Sequence, residues 1–287
     1  GIMDQPVMIK DGVYWIGALD PGLVVFDIVI PTKHGTTYNS YLVKGEKIAV
    51  IETVKSYCVD GFISKIRSLV RPEDIDYIII NHTEPDHSGG LIRLMELAPN
   101  AIPVFSRGAR TFVKNILHKE FDYKEVKAGD SIDLGGKVLK FISAPFLHWP
   151  DTMFTYLETD KILFPCDAFG SHYCSDKRFN DELDSKEDAF TAYEFYYDTI
   201  LRPFKKYVID ALENIKDIDI DIIAPSHGPI LRENIEKYID AYREWAGKTK
   251  KYPDKKKIVI IYVSSYGSTQ KMAESIYRGA CQPDTDV

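Results

Sequence analysis

The sequence predicts an α/β chain in which two packed sheets are flanked by helices. Three observations carry that expectation: short β-rich runs separated by turn signals, amphipathic helical stretches between them, and an order in which strands give way to helices twice. In chain order, residues 24–30, 40–43 and 48–52 read as strands. The stretch 59–70 places Phe62, Ile63, Ile66, Leu69 and Val70 on one helical face. Residues 76–81 then form an apolar run of the kind buried on both faces. A helix over 88–97, strands over 102–105 and 138–142, and a hairpin from 154–157 to 162–164 follow. The long aromatic-rich stretch 186–212 reads as helix with a break or kink at Pro203, and a strand over 222–224 precedes a second amphipathic helix over 232–246.

At 287 residues the chain exceeds the usual single-domain size, and the pattern changes near its end. We place a first domain at 1–247, a basic, solvated linker at 248–257 and a new element order at 258–287. In the last of these a strand over 258–263 leads through Ser264, Ser265, Tyr266, Gly267, Ser268 and Thr269 into a helix over 270–280. Hydroxyls and backbone N–H groups at such a helix start can cradle a phosphate, although many Ser/Gly/Thr turns are only caps.

With 45% hydrophobic and 28% charged residues the composition is that of a globular protein, and no run is apolar enough for a bilayer. The first residues lack signal-peptide character, so the cytoplasm is expected. A net charge of −7 opposes nucleic-acid binding, which depends on Lys and Arg neutralising phosphates. Cys58, Cys166, Cys174 and Cys281 form no C-x-x-C pair, and the apolar surroundings of Cys166 predict a buried structural thiol.

The chemistry is concentrated in Asn81-His82-Thr83-Glu84-Pro85-Asp86-His87-Ser88-Gly89-Gly90, where two imidazoles and two carboxylates fall within six positions after a buried strand. Pro85 disfavours helix at Glu84, so an irregular loop is expected, with Ser88 as N-cap of the next helix. One such pair on its own would be an ordinary polar surface loop. His148, Asp167 and His227 change the odds, because each follows an apolar stretch whose loop can converge on the same rim. Four imidazoles and three carboxylates without a thiolate suit iron or manganese better than a soft metal.

These residues resemble the pattern of the flavodiiron proteins, H-x-E-x-D-H followed by distant His, Asp and His, and the likeness runs from Lys33-His34-Gly35-Thr36-Thr37-Tyr38-Asn39 into the 258–287 segment. The resemblance implies a metallo-β-lactamase-type αββα sandwich followed by the first β-α unit of a flavodoxin-like domain. It implies that His82, Glu84 and His148 bind one iron, that Asp86, His87 and His227 bind the other, and that Asp167 bridges them. Further implications are reduction of O2 to water or NO to N2O, FMN in the full-length protein, an electron donor such as rubredoxin, and a head-to-tail homodimer. Residues 264–269 would be the FMN phosphate loop, and this chain as given is expected to bind FMN poorly. His34 and Tyr197 would line the substrate pocket, whereas His118 and His172 receive no role. A zinc hydrolase on the same sandwich and a non-catalytic O2/NO sensor are the competing readings. Glu84 separates the hydrolase, because hydrolytic relatives carry an imidazole at that position.

Overall fold

Ile78, Ile79 and Ile80 are consecutive and all buried, which a strand achieves only when both of its faces are covered. The computed structural model describes residues 5–27, 30–116, 121–248, 256–258, 260–262, 264, 267–281 and 285–286. Its contacts divide the chain into Gly1–Gly247 and Lys248–Val287.

The first unit holds two large sheets. One is seven-stranded, in the spatial order Val7–Lys10, Val13–Trp15, Tyr41–Lys44, Ile48–Ile51, Tyr77–Ile80, Ile102–Ser106 and Lys124–Val126. Its first four strands pair antiparallel, and the rest continue in parallel from Ile48–Ile51. The other is five-stranded, in the order Ser131–Asp133, Val138–Ser143, Met153–Leu157, Ile162–Phe164 and Ile222–Ile223. Helices α1 (Val59–Leu69), α2 (Pro85–Ser88), α3 (Leu91–Leu97) and α4 (Arg110–Ile116) lie between strands of the first sheet in sequence. Helices α5 (Lys186–Tyr196), α6 (Lys205–Ile215) and α7 (Ile235–Gly247) belong with the second.

Side-chain alternation along the strands produces the layers. Val43, Ile51, Ile79 and Val104 of the first sheet meet Leu139, Phe141, Leu157 and Phe164 of the second in one buried cluster between the sheets. Leu42, Val50, Ile78 and Phe105, offset by one residue, pack instead against Phe62 and Ile66 of α1 and Leu91 and Leu94 of α3. Phe154, Leu163 and Ile223 cover the opposite outer face with Tyr193 and Tyr196 of α5, Leu212 of α6 and Tyr242 of α7. The result is the expected αββα sandwich. Among the described residues no helix is long and apolar enough to cross a membrane.

Several elements depart from the sequence reading. The single strand expected over 24–30 is instead a two-strand ribbon, Val25–Phe26 against Ile30–Pro31, with Asp27 left-handed at φ 47°. Pro31 has no N–H with which to extend a ladder. Residues 28 and 29 lie outside the described residues. The stretch 186–212 is interrupted between α5 and α6 by a widened turn at Tyr197–Leu201 and a tight one at Arg202–Phe204. Pro203 lies in the tight one, as expected of a residue that cannot donate to the preceding turn. Short strands such as Thr36–Tyr38 and Ser131–Asp133 escaped the reading because three residues carry too little alternation.

In the second unit Lys256–Lys257 pairs in parallel with Thr285–Asp286, and α8 runs Ser268–Ala280. Lys256 and Lys257 are therefore strand rather than linker, whereas residues 249–255 lie outside the described residues. Ile258, Ile260, Ile261 and Tyr262, expected in a strand, are outside any ladder. Ile261 is 87% exposed.

Ile79 is fully buried between the sheets. Replacing it with Ala is expected to destabilise the fold by about 2–5 kcal/mol through lost burial and a residual cavity. The check is a lower urea midpoint with an unchanged slope.

Candidate metal centre

Four strands end at one rim, and backbone cross-links gather the loops that follow them. The Asn81 carbonyl accepts from Met153 N–H at 3.1 Å, and its side-chain amide donates to the Phe164 carbonyl at 3.2 Å. Ser226 N–H donates to the Cys166 carbonyl at 2.8 Å. Asn39 donates through its amide to the carbonyls of Pro225 and Gly228, both at 2.8 Å. The loops bearing His82, Asp167 and His227 are thus tied to one another before any metal is considered.

Pro85 shapes the densest loop differently from expectation. Glu84 is extended, with ψ 143°, as a residue before proline tends to be, while Pro85 takes the first position of the helical turn α2. That turn buries Asp86 and His87. The Ser88 hydroxyl donates back to the carbonyls of Thr83 (2.8 Å) and Glu84 (3.0 Å), and Gly90, not Ser88, occupies the N-cap of α3.

All seven ligand candidates converge, in two groups that meet at Asp167. Glu84 Oε2 lies 3.0 Å from His82 Nε2 and 3.1 Å from His148 Nε2. Asp167 Oδ2 lies 3.5 and 3.3 Å from the same two nitrogens. On the other side Asp167 Oδ1 is 2.9 Å from His87 Nε2 and 3.5 Å from His227 Nε2, and Asp86 Oδ2 is 3.0 Å from His227 Nε2. Ligand atoms roughly 2.0–2.2 Å from a shared ion at right angles would stand about 3 Å apart, the spacing seen here. Asp86 Oδ1, His87 Nε2 and Asp167 Oδ1 are buried without hydrogen-bond partners, a costly state that a bound cation relieves.

The electrostatics agree. Burial pushes His82, His87 and His148 toward the neutral form, yet the surrounding carboxylates outweigh it and lift each to about 10. Burial likewise opposes ionisation of Glu84, but His148 and His82 hold it at about 2. Without cations, protons on the imidazoles balance buried negative charge, and two divalent ions would take over that role. The residues present fit a two-metal site.

Outer partners aim the imidazoles. His82 Nδ1 lies 3.1 Å from Asp151 Oδ2, which also accepts from Thr83 N–H (2.7 Å) and the Thr83 hydroxyl (2.8 Å). His227 Nδ1 donates to the Thr37 carbonyl at 2.6 Å. Both arrangements leave Nε2 facing the centre. Sequence reasoning missed Asp151, although it stands three residues after His148 in the same string. It also missed Glu52, a charged residue ending an apolar strand. Burial raises its carboxyl to about 7 against the opposing pull of His87, the Cys166 thiol and Asn81 N–H.

The remaining sequence candidates are placed as follows. His34 is half-buried and shares a cavity of about 570 Å³ with His172, its ring 4.9 Å from Tyr173. Tyr197 turns away from the centre onto Tyr242 (5.0 Å) and Trp245 (5.2 Å), its hydroxyl without a partner. The adjacent Tyr196 is the one beside the cluster, 4.9 Å from the His172 ring and 6.2 Å from that of His227. His172, given no role from sequence, is buried with Nδ1 2.9 Å from Thr36 Oγ1 and its ring 5.3 Å from His227. His118 lies outside the described residues. In the second unit Gly267 is left-handed at φ 79° before α8, no side chain caps that helix, and the Ser264 hydroxyl is buried without a partner. Ser268 and Thr269 open α8, and Ser265 and Tyr266 lie outside the described residues.

Comparison with known proteins places this arrangement. Residues 36–228 match the model of the ODP family beta lactamase. Over 281 residues the chain is 44% identical to the Flavo-diiron protein FprA2 of Clostridium acetobutylicum, covering 95% of this chain and 69% of that protein. The chain belongs to the flavodiiron protein family. A second relative, the Type A flavoprotein fprA of Rhodobacter capsulatus, is 41% identical across 98% of this chain and 66% of its own length. The Nitric oxide reductase of Moorella thermoacetica is 40% identical, with 96% of this chain and 69% of that protein covered. Among solved structures, the flavodiiron protein of Giardia intestinalis superposes with a TM-score of 0.81 at 32% identity, covering 98% of this chain and 68% of that one. Rubredoxin oxygen:oxidoreductase of Desulfovibrio gigas gives 0.82 at 31% identity, with 97% and 70% covered. The chain thus spans about two thirds of the length of these relatives.

Asp151→Ala should free the His82 ring and weaken metal binding about 10–100-fold while the fold persists. Metal-retention titration against a competing chelator, with circular dichroism as control, measures it; undiminished affinity would remove Asp151 from the site.

Proposed function

We propose that this chain carries the metal centre of a di-iron oxidoreductase that reduces O2 to water, NO to N2O, or both. The observation supporting this most directly is the two-sided Asp167, one oxygen toward His82 and His148 and the other toward His87 and His227. Two such ions, when bound, supply a pair of adjacent one-electron centres. The chain's own residues do the rest. Asp167 sets the spacing, and Glu84 and Asp86 add one anionic oxygen to each side. Glu84 also distinguishes the site from hydrolytic relatives, as its carboxylate stands where they place an imidazole. Asp151 and Thr37 hold two imidazoles in the tautomer that presents Nε2. Phe26, Tyr196 and His172 wall off the His227 side.

Ser264, Ser265, Tyr266, Gly267, Ser268 and Thr269 are the residues we assign to an FMN phosphate. The orphaned Ser264 hydroxyl and the uncapped start of α8 support that assignment. Domain identities at 1–247 and 258–287, a rubredoxin-type donor, a head-to-tail homodimer and a cytoplasmic location belong to the same reading. The homodimer would bring the flavin of one subunit to the metals of the other.

The test uses full-length, iron-loaded protein with a reduced rubredoxin, following O2 and NO consumption. Asp167→Ala is expected to lose both metals and at least about a hundredfold in turnover. Zinc as the retained metal after iron-replete expression, with ester hydrolysis and no O2 or NO consumption, would overturn the reading in favour of a hydrolase. Binding of O2 or NO without sustained consumption would overturn it in favour of a sensor.

A further inference from the structure

Beside the ligand cluster lies one more buried carboxylate, that of Glu52. Glu52 is 1% exposed and left-handed at φ 61°, immediately after the strand Ile48–Ile51. A non-glycine residue adopts that conformation only where its surroundings compensate the strain. Here they do: Glu52 N–H donates to the Ile79 carbonyl at 2.8 Å, and its own carbonyl accepts from the Ser40 hydroxyl at 2.8 Å. The backbone is pinned so that the side chain points inward.

The carboxylate collects the residues that precede the ligands. Oε1 accepts from the backbone N–H of Asn81, next to His82, at 2.5 Å. Oε2 accepts from the thiol of Cys166, next to Asp167, at 3.0 Å. The Cys166 carbonyl in turn accepts from Ser226 N–H, next to His227. Donor atoms of Glu52, Cys166 and His87 lie within 4.8 Å of one another. His87 Nδ1, the ring nitrogen other than the one facing Asp167, has no hydrogen-bond partner. The main chain of His87 is held from the same side, its carbonyl accepting from Thr53 N–H (2.8 Å) and the Thr53 hydroxyl (2.6 Å).

We propose that Glu52, braced by the Cys166 thiol, is a positioning residue that selectively tunes the His87 side of the metal centre. The proposal rests on the two-metal reading. Two of the other three imidazoles have their own outer acceptors, Asp151 for His82 and the Thr37 carbonyl for His227. Glu52 is the anionic group within reach of His87 from behind, and Cys166 keeps its oxygen from swinging away. Cys166 is thereby a structural donor, inaccessible to solvent at 1% exposure.

The test is titration of the metal-free chain with cobalt(II) and, anaerobically, with iron(II), following the visible absorption bands of the bound cobalt. The variants are Glu52→Gln, Cys166→Ala and Cys166→Ser. The parent is expected to take two ions per chain. Glu52→Gln and Cys166→Ala should bind the first with parental affinity and the second about 10–100-fold more weakly, with altered bands for the second ion only. Cys166→Ser, whose hydroxyl still donates, should restore the parental second site. Equal affinity at both sites in all variants, or equal weakening at both, overturns the proposal, as does failure of Cys166→Ser to restore. Should Glu52→Gln fail to fold, the two Cys166 variants decide alone. A parent chain that binds fewer than two ions refutes the two-metal reading itself, a separate outcome.

Discussion

The structure depends on one electrostatic constraint: three carboxylates and three imidazoles are buried together at the rim of a sandwich, with the half-buried His148 beside them, and buried charge is tolerated only when compensated. Asp167 is the centre of that arrangement. It is 2% exposed, and its two oxygens face opposite groups of imidazoles. Burial opposes its ionisation, and the neighbouring imidazoles hold it ionised well below the usual carboxylate range. A site with this much fixed negative charge and several orphaned ligand atoms is built for cations rather than for protons alone.

Such a cluster needs a rigid frame, and the two sheets provide it. The strands ending at Ile80, Phe164 and Ile223 are clamped by inter-sheet packing on one face and by helices on the other. Their ends cannot drift apart without opening the core. Asn39, Asn81, Cys166 and Ser226 then convert a cluster of loop ends into one hydrogen-bonded unit. Substitutions well behind the metals can therefore act on them through position, with no contact of their own.

The second unit is organised by other forces. Its helix α8 is mostly exposed, with Met272, Ile276 and Tyr277 all at least half open to solvent. Among the described residues its small parallel ladder carries two residue pairs. Two local features mark the start of α8, a left-handed Gly267 and a buried Ser264 hydroxyl without a partner.

The convergence of the seven candidates was legible in the sequence because metal-binding residue types at short spacing, placed after buried strands, leave few alternatives. His82, Glu84, Asp86 and His87 are four such residues in six positions, and His148, Asp167 and His227 each follow an apolar run. The two-layer sheet architecture was legible for a similar reason, since strand and helix periodicities are written in the order of side chains. Tyr196 against Tyr197 was not legible, because the widened turn after α5 decides which of two adjacent rings faces inward. Glu52, Asp151, Thr37 and His172 were also beyond sequence reasoning. Each meets its ring partner many positions away, 69 for Asp151 and His82 and 190 for Thr37 and His227, and no periodicity encodes a contact between distant loops. The sequence alone therefore determined which side chains are candidates to gather at the rim and which layers form, while the tertiary structure decided how those side chains are aimed. Aim depends on hydrogen bonds between segments that only the packed sandwich brings together.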